Sequence, residues 1–214
     1  MKDSDLEHWA VFFPCSLDPA QVLPGLKSGM KVLCVDGGFD FIREANLRAD
    51  VFLGDGDSLE SLDGLPPGVE FFNREKDFLD GEAALEFLAG RPLLQADLYG
   101  FLHGRWDMSL THIFALSRFE KLANRLIIYT GSSRLWFRNT SFDFCGKIGQ
   151  SFSIIPLESM HGVDLTGARF SLKNAILNPG FGHSLSNVFD SGKVSLNFSG
   201  KFDYLLEIHQ IGKL

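Results

Sequence analysis

Along the first two-thirds of the chain, short apolar runs alternate with segments whose apolar residues return every three or four positions. The runs WAVFF (9–13), KVLCVD (31–36), DVFLGD (50–55), VEFFN (69–73), ADLYGF (96–101) and RLIIYT (125–130) read as strands. Helical spacing is clearest in DGEAALEFLAG and in WDMSLTHIFALSRFEKLA, where Leu110, Ile113, Phe114 and Ser117 fall on one face. Strands alternating with helices predict an α/β domain, a mostly parallel sheet covered on both sides. From about residue 140 the texture changes to QSFSIIPL, GARFSLKNAIL, LSNVFD and GKVSLNFSGKFDYLLEIHQ, short stretches punctuated by Gly, Ser and Asn. Val194, Leu196 and Phe198 alternate onto one face, and DSGK and SGKFD read as hairpin turns. The pattern therefore predicts an α/β domain over residues 1–140 and a small antiparallel β-sandwich over 141–214, joined near 136–147.

Composition changes this picture little. Of 214 residues, 45% are hydrophobic and 22% charged, an ordinary globular balance, and the 21 phenylalanines predict aromatic-rich packing. No apolar run approaches the roughly 18 residues that span a bilayer, so no membrane association is expected. The acidic opening residues lack the basic region and apolar core of a signal peptide. Cys15, Cys34 and Cys145 form no paired or Cys-x-x-Cys framework. Both features predict a cytoplasmic protein. Cys34, inside an apolar run, reads as a small core residue. A net charge of −7 argues against nucleic acid as a partner.

The candidate chemistry is acidic. Asp36 ends one strand, Asp55 and Asp57 follow another, Asp77 and Asp80 lie beyond a third, and Asp107 lies beyond a fourth. A parallel sheet brings such ends to one edge, where ligands of open α/β sheets bind. Clustered carboxylates repel unless a cation separates them, and an oxygen-only set favours a hard divalent ion that shares phosphate oxygens. Gly37, Gly38, Gly54 and Gly56 would let the backbone approach a phosphate-bearing ligand. Neither a Walker-type loop nor Gly-x-Gly-x-x-Gly occurs, which excludes a P-loop enzyme and weighs against a dinucleotide cofactor. Each acid also has a structural reading. Asp57-Ser58 fits a helix N-cap, and Asp40, Asp63 and Asp97 read as solvated loop or turn acids. His112 reads as a helix-surface or satisfied core histidine, Trp106 and Trp136 as packing residues, and His183 lies near a Ser-Asn turn.

Taken together, VDGG, GDGDS, KDFLD and HGRWD resemble, in order and spacing, the A-D-G-G, G-D-x-D-S, K-D-x-T-D and G-G-R-x-D-H motifs of thiamin pyrophosphokinases. VDLTGARFSLKNAIL and GHSLSNVF resemble that family's C-terminal motifs, so the likeness runs from about residue 30 to 200. The resemblance implies an α/β domain that binds ATP and Mg²⁺, followed by a β-sandwich that binds thiamin and dimerises. The implied activity is that of a thiamin diphosphokinase, moving the diphosphoryl group of ATP onto the hydroxyethyl oxygen of thiamin. It implies Asp55, Asp57, Asp80 and Asp107 as the catalytic carboxylates, the first three holding Mg²⁺. It also implies Asp36, Gly37, Gly38, Ser58, Lys76, Asp77 and Arg105 on the ATP side, with Phe170, Ser186 and Asn187 on the thiamin side and Phe170 at the position that stacks on the pyrimidine ring.

The chain departs from the family pattern at His103 for Gly, Met108 for His, Leu79 for Thr, and Phe39-Asp40 for Ala-Asn. These departures leave two alternatives open. One is the same transfer onto another heterocyclic alcohol, pterin-like for instance. The other is a catalytically silent protein that binds nucleotide or thiamin.

Overall fold

The computed structural model describes residues 5–14, 18, 22–57, 59, 61, 63–71, 77–102 and 104–209. The chain divides into two compact units, Met1–Thr130 and Gly131–Leu214. The expected boundary at residue 140 therefore falls ten residues late. The joining segment expected at 136–147 holds the end of one strand of the second unit, SRLWFR (133–138), whose alternating burial marks it as half-covered, and all of another, FDFC (142–145).

In the first unit, β1 (Glu7–Phe12), β2 (Lys31–Val35), β3 (Val51–Gly54), β4 (Gly68–Phe71), β5 (Leu93–Tyr99) and β6 (Leu126–Tyr129) match the six predicted strands. They stand in the order β6-β5-β1-β2-β3-β4, and every pairing within this set is parallel. All six carboxyl ends therefore share one edge. The order reverses between β1 and β5, the kind of switch point where such sheets bind ligands. Cys34 is fully buried in β2 as expected. Asp97 is not a solvated acid: it sits in β5, 3% exposed, and binds His8 Nε2 at 3.2 Å and the Gln95 amide at 2.6 Å. Burial in a central strand is tolerable because both oxygens are engaged.

Three helices are α1 (Gly38–Glu44), α2 (Asp80–Ala89) and α3 (Trp106–Leu116). In α2 the buried set Gly81, Ala84, Leu85 and Leu88 follows the predicted periodicity. In α3 it does not. The helix stops at Leu116, well short of the expected residue 123, and it buries Ser109, His112, Ala115 and Leu116. Leu110 and Phe114, on the predicted core face, are exposed, and so is Trp106 at 81%. The reason is close approach: a Cβ on Gly81 would lie 2.2 Å from His112 Nε2, so the absence of a side chain at Gly81 makes room for the buried imidazole where the helices pack. His112 is the satisfied core histidine, its Nδ1 2.8 Å from the Phe101 carbonyl and its ring stacked on Phe101. No described helix is long and apolar enough to cross a membrane.

Among its described residues the second unit has eight strands: β7 (Ser133–Arg138), β8 (Phe142–Cys145), β9 (Ser151–Pro156), β10 (Met160–Thr166), β11 (Leu172–Leu177), β12 (Asn187–Val188), β13 (Lys193–Asn197) and β14 (Tyr204–His209). One sheet runs β12-β9-β14-β7 and the other β11-β10-β13-β8, with antiparallel pairings throughout. Their inner faces share one core that includes Phe144, Phe152, Met160, Leu165, Phe189, Val194, Leu196, Tyr204 and Leu206. This is the expected β-sandwich. DSGK and SGKFD are not hairpins, however, because β12 and β14 belong to the opposite sheet from β13. Those turns carry the chain from one layer to the other. Trp136 packs against the shared core as expected.

Candidate functional site

The acidic edge is built by the main chain. Asp36 follows β2 in the left-handed region at φ 46°, donating its N–H to Leu53 O at 2.8 Å and accepting from Phe39 N–H at 3.0 Å. An aspartate tolerates this conformation better than most residues. Two glycines make the turn possible. A Cβ on Gly54, at φ 155°, would lie 3.0 Å from the Asp36 Cα, and one on Gly38 would lie 2.1 Å from the Phe12 carbonyl oxygen. These two glycines were expected to open the backbone to a ligand. Instead they let one turn pack on another, drawing the Asp36 turn against the ends of β1 and β3.

The outcome is a group of three carboxylates: Asp36, Asp55 and Asp57 offer oxygens that all lie within 4.8 Å of one another. Asp57 N–H also donates to Asp55 Oδ1 at 3.0 Å, folding the second acidic turn onto itself. Asp36 is buried, Asp55 half-buried and Asp57 exposed. At that separation each ionised pair repels by roughly 3 kcal/mol for an effective dielectric near 20. Such a donor set, with oxygens only and no Cys or His, could hold a hard divalent cation.

The other acids at this edge stand apart from the group. Asp80 is the first residue of α2, where its charge complements the helix dipole, and Asp77 is exposed just before it. The residue that precedes α2 in the N-cap position, Leu79, supplies no side-chain cap. Asp107 is exposed in the first turn of α3 and bound by Arg105, with Nε to Oδ1 at 3.1 Å and a second bond to Oδ2 at 2.5 Å. Met108 N–H also donates to Oδ1 at 3.0 Å. The Arg105 guanidinium and that backbone N–H hold the Asp107 carboxyl below the usual carboxylate range. Gly37 is the N-cap residue of α1. Ser58, Lys76 and His103 lie outside the described residues.

In the second unit, Phe170, Ser186 and Asn187 come together. Phe170 is 60% exposed, on the turn between β10 and β11. Asn187 is 1% exposed. Its Oδ1 accepts from Phe170 N–H at 3.1 Å and from Val188 N–H at 2.8 Å, and its Nδ2 donates to Phe170 O at 2.8 Å. Ser186 has φ 52°, and its N–H donates to Ser153 Oγ at 3.0 Å. Asn187 was expected to offer a polar edge to a ligand. At this burial its carboxamide is committed to the protein itself. Reading residues by sequence passed over Phe181 and Leu185, which are also exposed in the segment leading to Ser186. The detectable signal was apolar residues inside a Gly- and Ser-rich loop, NPGFGHSLSN. Phe181 and His183 rings lie 6.3 Å apart in that loop.

Residues 142–201 match the sequence pattern of a family described as "Thiamin pyrophosphokinase, vitamin B1 binding domain". No curated protein matches the chain. Among solved structures, thiamine pyrophosphokinase from Bacillus subtilis superposes with a TM-score of 0.82 at 18% identity, over 96% of this chain and all of that one. The enzyme from Geobacillus thermodenitrificans gives 0.78 at 20% identity, over 97% and 98% of the two chains. That from Candida albicans gives 0.71 at 11% identity, over 96% and 90%. The resemblance read from the sequence is thus borne out twice, by the B1-binding pattern over residues 142–201 and by the fold over nearly the whole chain.

Proposed function

We propose that this chain, which has the fold of thiamin pyrophosphokinases and carries their vitamin B1 binding pattern over residues 142–201, catalyses transfer of the diphosphoryl group of ATP to the hydroxyethyl oxygen of thiamin. The observation that carries the reading is the convergence of Asp36, Asp55 and Asp57 at the carboxyl edge of a parallel sheet. Diphosphoryl transfer needs charge neutralisation and positioning more than covalent help from the protein. Asp55 and Asp57, with Asp36 beside them, would hold Mg²⁺. Once bound, that ion neutralises phosphate charge.

The remaining residues bind and orient. Asp80 stays a metal-side candidate from the α2 N-terminus, while Asp77, Lys76, Ser58, Gly37 and Gly38 flank the ATP side. Asp107, whose carboxyl Arg105 holds below the usual carboxylate range, acts as an anion and not as a proton donor. In the second unit, the exposed Phe170 ring offers a face for the flat, cationic acceptor, and cation–π attraction adds to stacking. We further propose a cytoplasmic homodimer. Phe170, Phe181, Leu185, Ile148 and Ile176 all leave apolar surface exposed in the second unit, and a second copy would cover part of it.

The test is to incubate the protein with ATP, Mg²⁺ and thiamin and to measure AMP and thiamin diphosphate together. Equimolar formation of both is expected. A second reading, the same transfer onto another heterocyclic alcohol, is favoured by the solvent-exposed Trp106 beside Asp107. AMP formed with a pterin-type alcohol and not with thiamin would select it. Nucleotide or thiamin binding without AMP under either condition would leave a silent binding protein.

A further inference from the structure

We infer that Asn187 is a positioning residue that fixes the Phe170 ring for the acceptor and does not itself touch it, an inference that rests on the reading of Phe170 as the acceptor's stacking platform. The turn that carries Phe170 is tied at every residue from 167 to 170. Gly167 O accepts from Asp190 N–H at 3.1 Å and from Ser191 N–H at 3.2 Å. Ala168 bridges Phe189, and Arg169 N–H donates to Val188 O at 2.9 Å. These contacts continue like rungs of a ladder between the turn and residues 188–191. Ser186 is left-handed at φ 52°, and Asn187 and Val188 pair on their other side with Phe152 and Ser151 of β9. Phe170, next along the turn, makes no backbone–backbone hydrogen bond to that segment.

The Asn187 carboxamide supplies that rung instead. It presents an acceptor and a donor side by side, as the C=O and N–H of one residue do in an antiparallel pair, and it closes on both the N–H and the C=O of Phe170. Oδ1 already takes a second bond from Val188 N–H, so the amide plane is fixed at both ends. A buried side chain thus immobilises the backbone of a residue whose ring is mostly in solvent. Packing alone does not need this, because an exposed phenylalanine contributes little to a core. A stacking platform does need it, since a ring already held in place loses less entropy when a planar ligand settles on it. Ser would satisfy fewer of these groups, and Asp would lose the donor to Phe170 O.

The experiment compares wild type, Asn187→Ala, Phe170→Ala and the double variant, reading KM for thiamin and for ATP, melting temperature, and backbone amide hydrogen exchange over residues 167–171. Asn187→Ala is expected to raise the thiamin KM about tenfold, the scale of one lost aromatic contact, with the ATP KM within about twofold by the same reasoning. The double variant should be no worse than Phe170→Ala, because Asn187 acts only through that ring. Exchange over 167–171 should accelerate in Asn187→Ala. Losses that multiply in the double variant would mean a direct contact and overturn the inference. So would a parallel rise in both KM values. Should Asn187→Ala fail to fold, Asn187→Asp, which keeps both acceptor bonds, replaces it in the same cycle. A wild type that does not use thiamin overturns the functional reading instead. The clamp is then judged by exchange alone, and unchanged exchange overturns it.

Discussion

The acidic turns after β2 and β3 take their shape from the sheet beneath them, whereas in the Phe170 turn the last residue, Phe170 itself, is held by one side chain seventeen residues away. In the first case, parallel pairing puts Val35 beside Leu53, and the residues that follow emerge side by side whatever their identity. Glycines then let the two turns touch. In the second case, backbone bonds tie residues 167–169, and the Asn187 carboxamide holds the N–H and C=O of Phe170. Main-chain placement tolerates side-chain change, while side-chain placement does not. The first unit should therefore lose function more readily than structure when an acid is neutralised. The second should lose the position of a ring when a single amide is removed.

The largest effect should come from the acidic group itself. Asp57→Asn is expected to raise the barrier to diphosphoryl transfer by about 3 kcal/mol or more, the scale of one preorganised electrostatic stabiliser. Its melting temperature should hold, because repulsion among three carboxylates is relieved. Turnover measured beside thermal unfolding decides the matter, and early melting would make Asp57 a structural residue and blur the comparison. Chelation should abolish turnover for the same reason.

Gly38→Ala attacks the main-chain scaffold and not the acids. Its new methyl would meet the Phe12 carbonyl oxygen at 2.1 Å, so about 2–3 kcal/mol of stability should be lost by overpacking. Denaturant midpoints measure this, and an unchanged midpoint would show that the Asp36 turn can move freely.

Phe170→Ala should weaken thiamin binding by about 1–2 kcal/mol and leave ATP binding nearly intact. Separate titrations of the two ligands test it. Equal loss for both would end the assignment of the acceptor to the second unit.

Leu79→Thr is expected to add about 1 kcal/mol of stability, because α2 begins with an extended N-cap residue that offers no capping oxygen. A thermal shift upward would confirm that the departure from the family motif costs a helix cap. A fall would show that the partly buried Leu79 side chain packs in a way a hydroxyl cannot replace.

The smallest effect concerns pH. Asp107 has a lowered pKa because Arg105 and the Met108 N–H favour its charged form. A depressed carboxylate contributes stability above the unfolded-state value near 3.8 and loses it as pH falls through the lower folded value. Between about pH 6 and 8 this exposed pair should change melting temperature by nothing measurable. An Arg105→Ala variant should return the Asp107 carboxyl toward its ordinary range, as carboxyl NMR titration would report.

Much of this molecule was legible before any coordinates. Six strands, the α2 face and the change to a β-sandwich followed from apolar periodicity, because burial on a sheet or helix face leaves a regular trace in the chain. The gathering of acids at one edge followed from parallel topology, which sends every strand end the same way. What periodicity could not give was the choice between faces on α3. There the packed surface is set by how closely Gly81 and His112 can approach, so the larger apolar residues Trp106, Leu110 and Phe114 stay outside. Nor could spacing tell which acids meet. Asp36 joins Asp55 and Asp57 because two glycines let neighbouring turns collapse together, while Asp80 is carried off to begin a helix. The role of Asn187 was equally hidden, since its motif position suggested a ligand contact and only the structure shows its carboxamide bound to the Phe170 main chain. Local sequence fixes which residues can be strand, helix or acid. Their distances depend on loop paths and close contacts that no local pattern encodes, and these the tertiary structure alone decided.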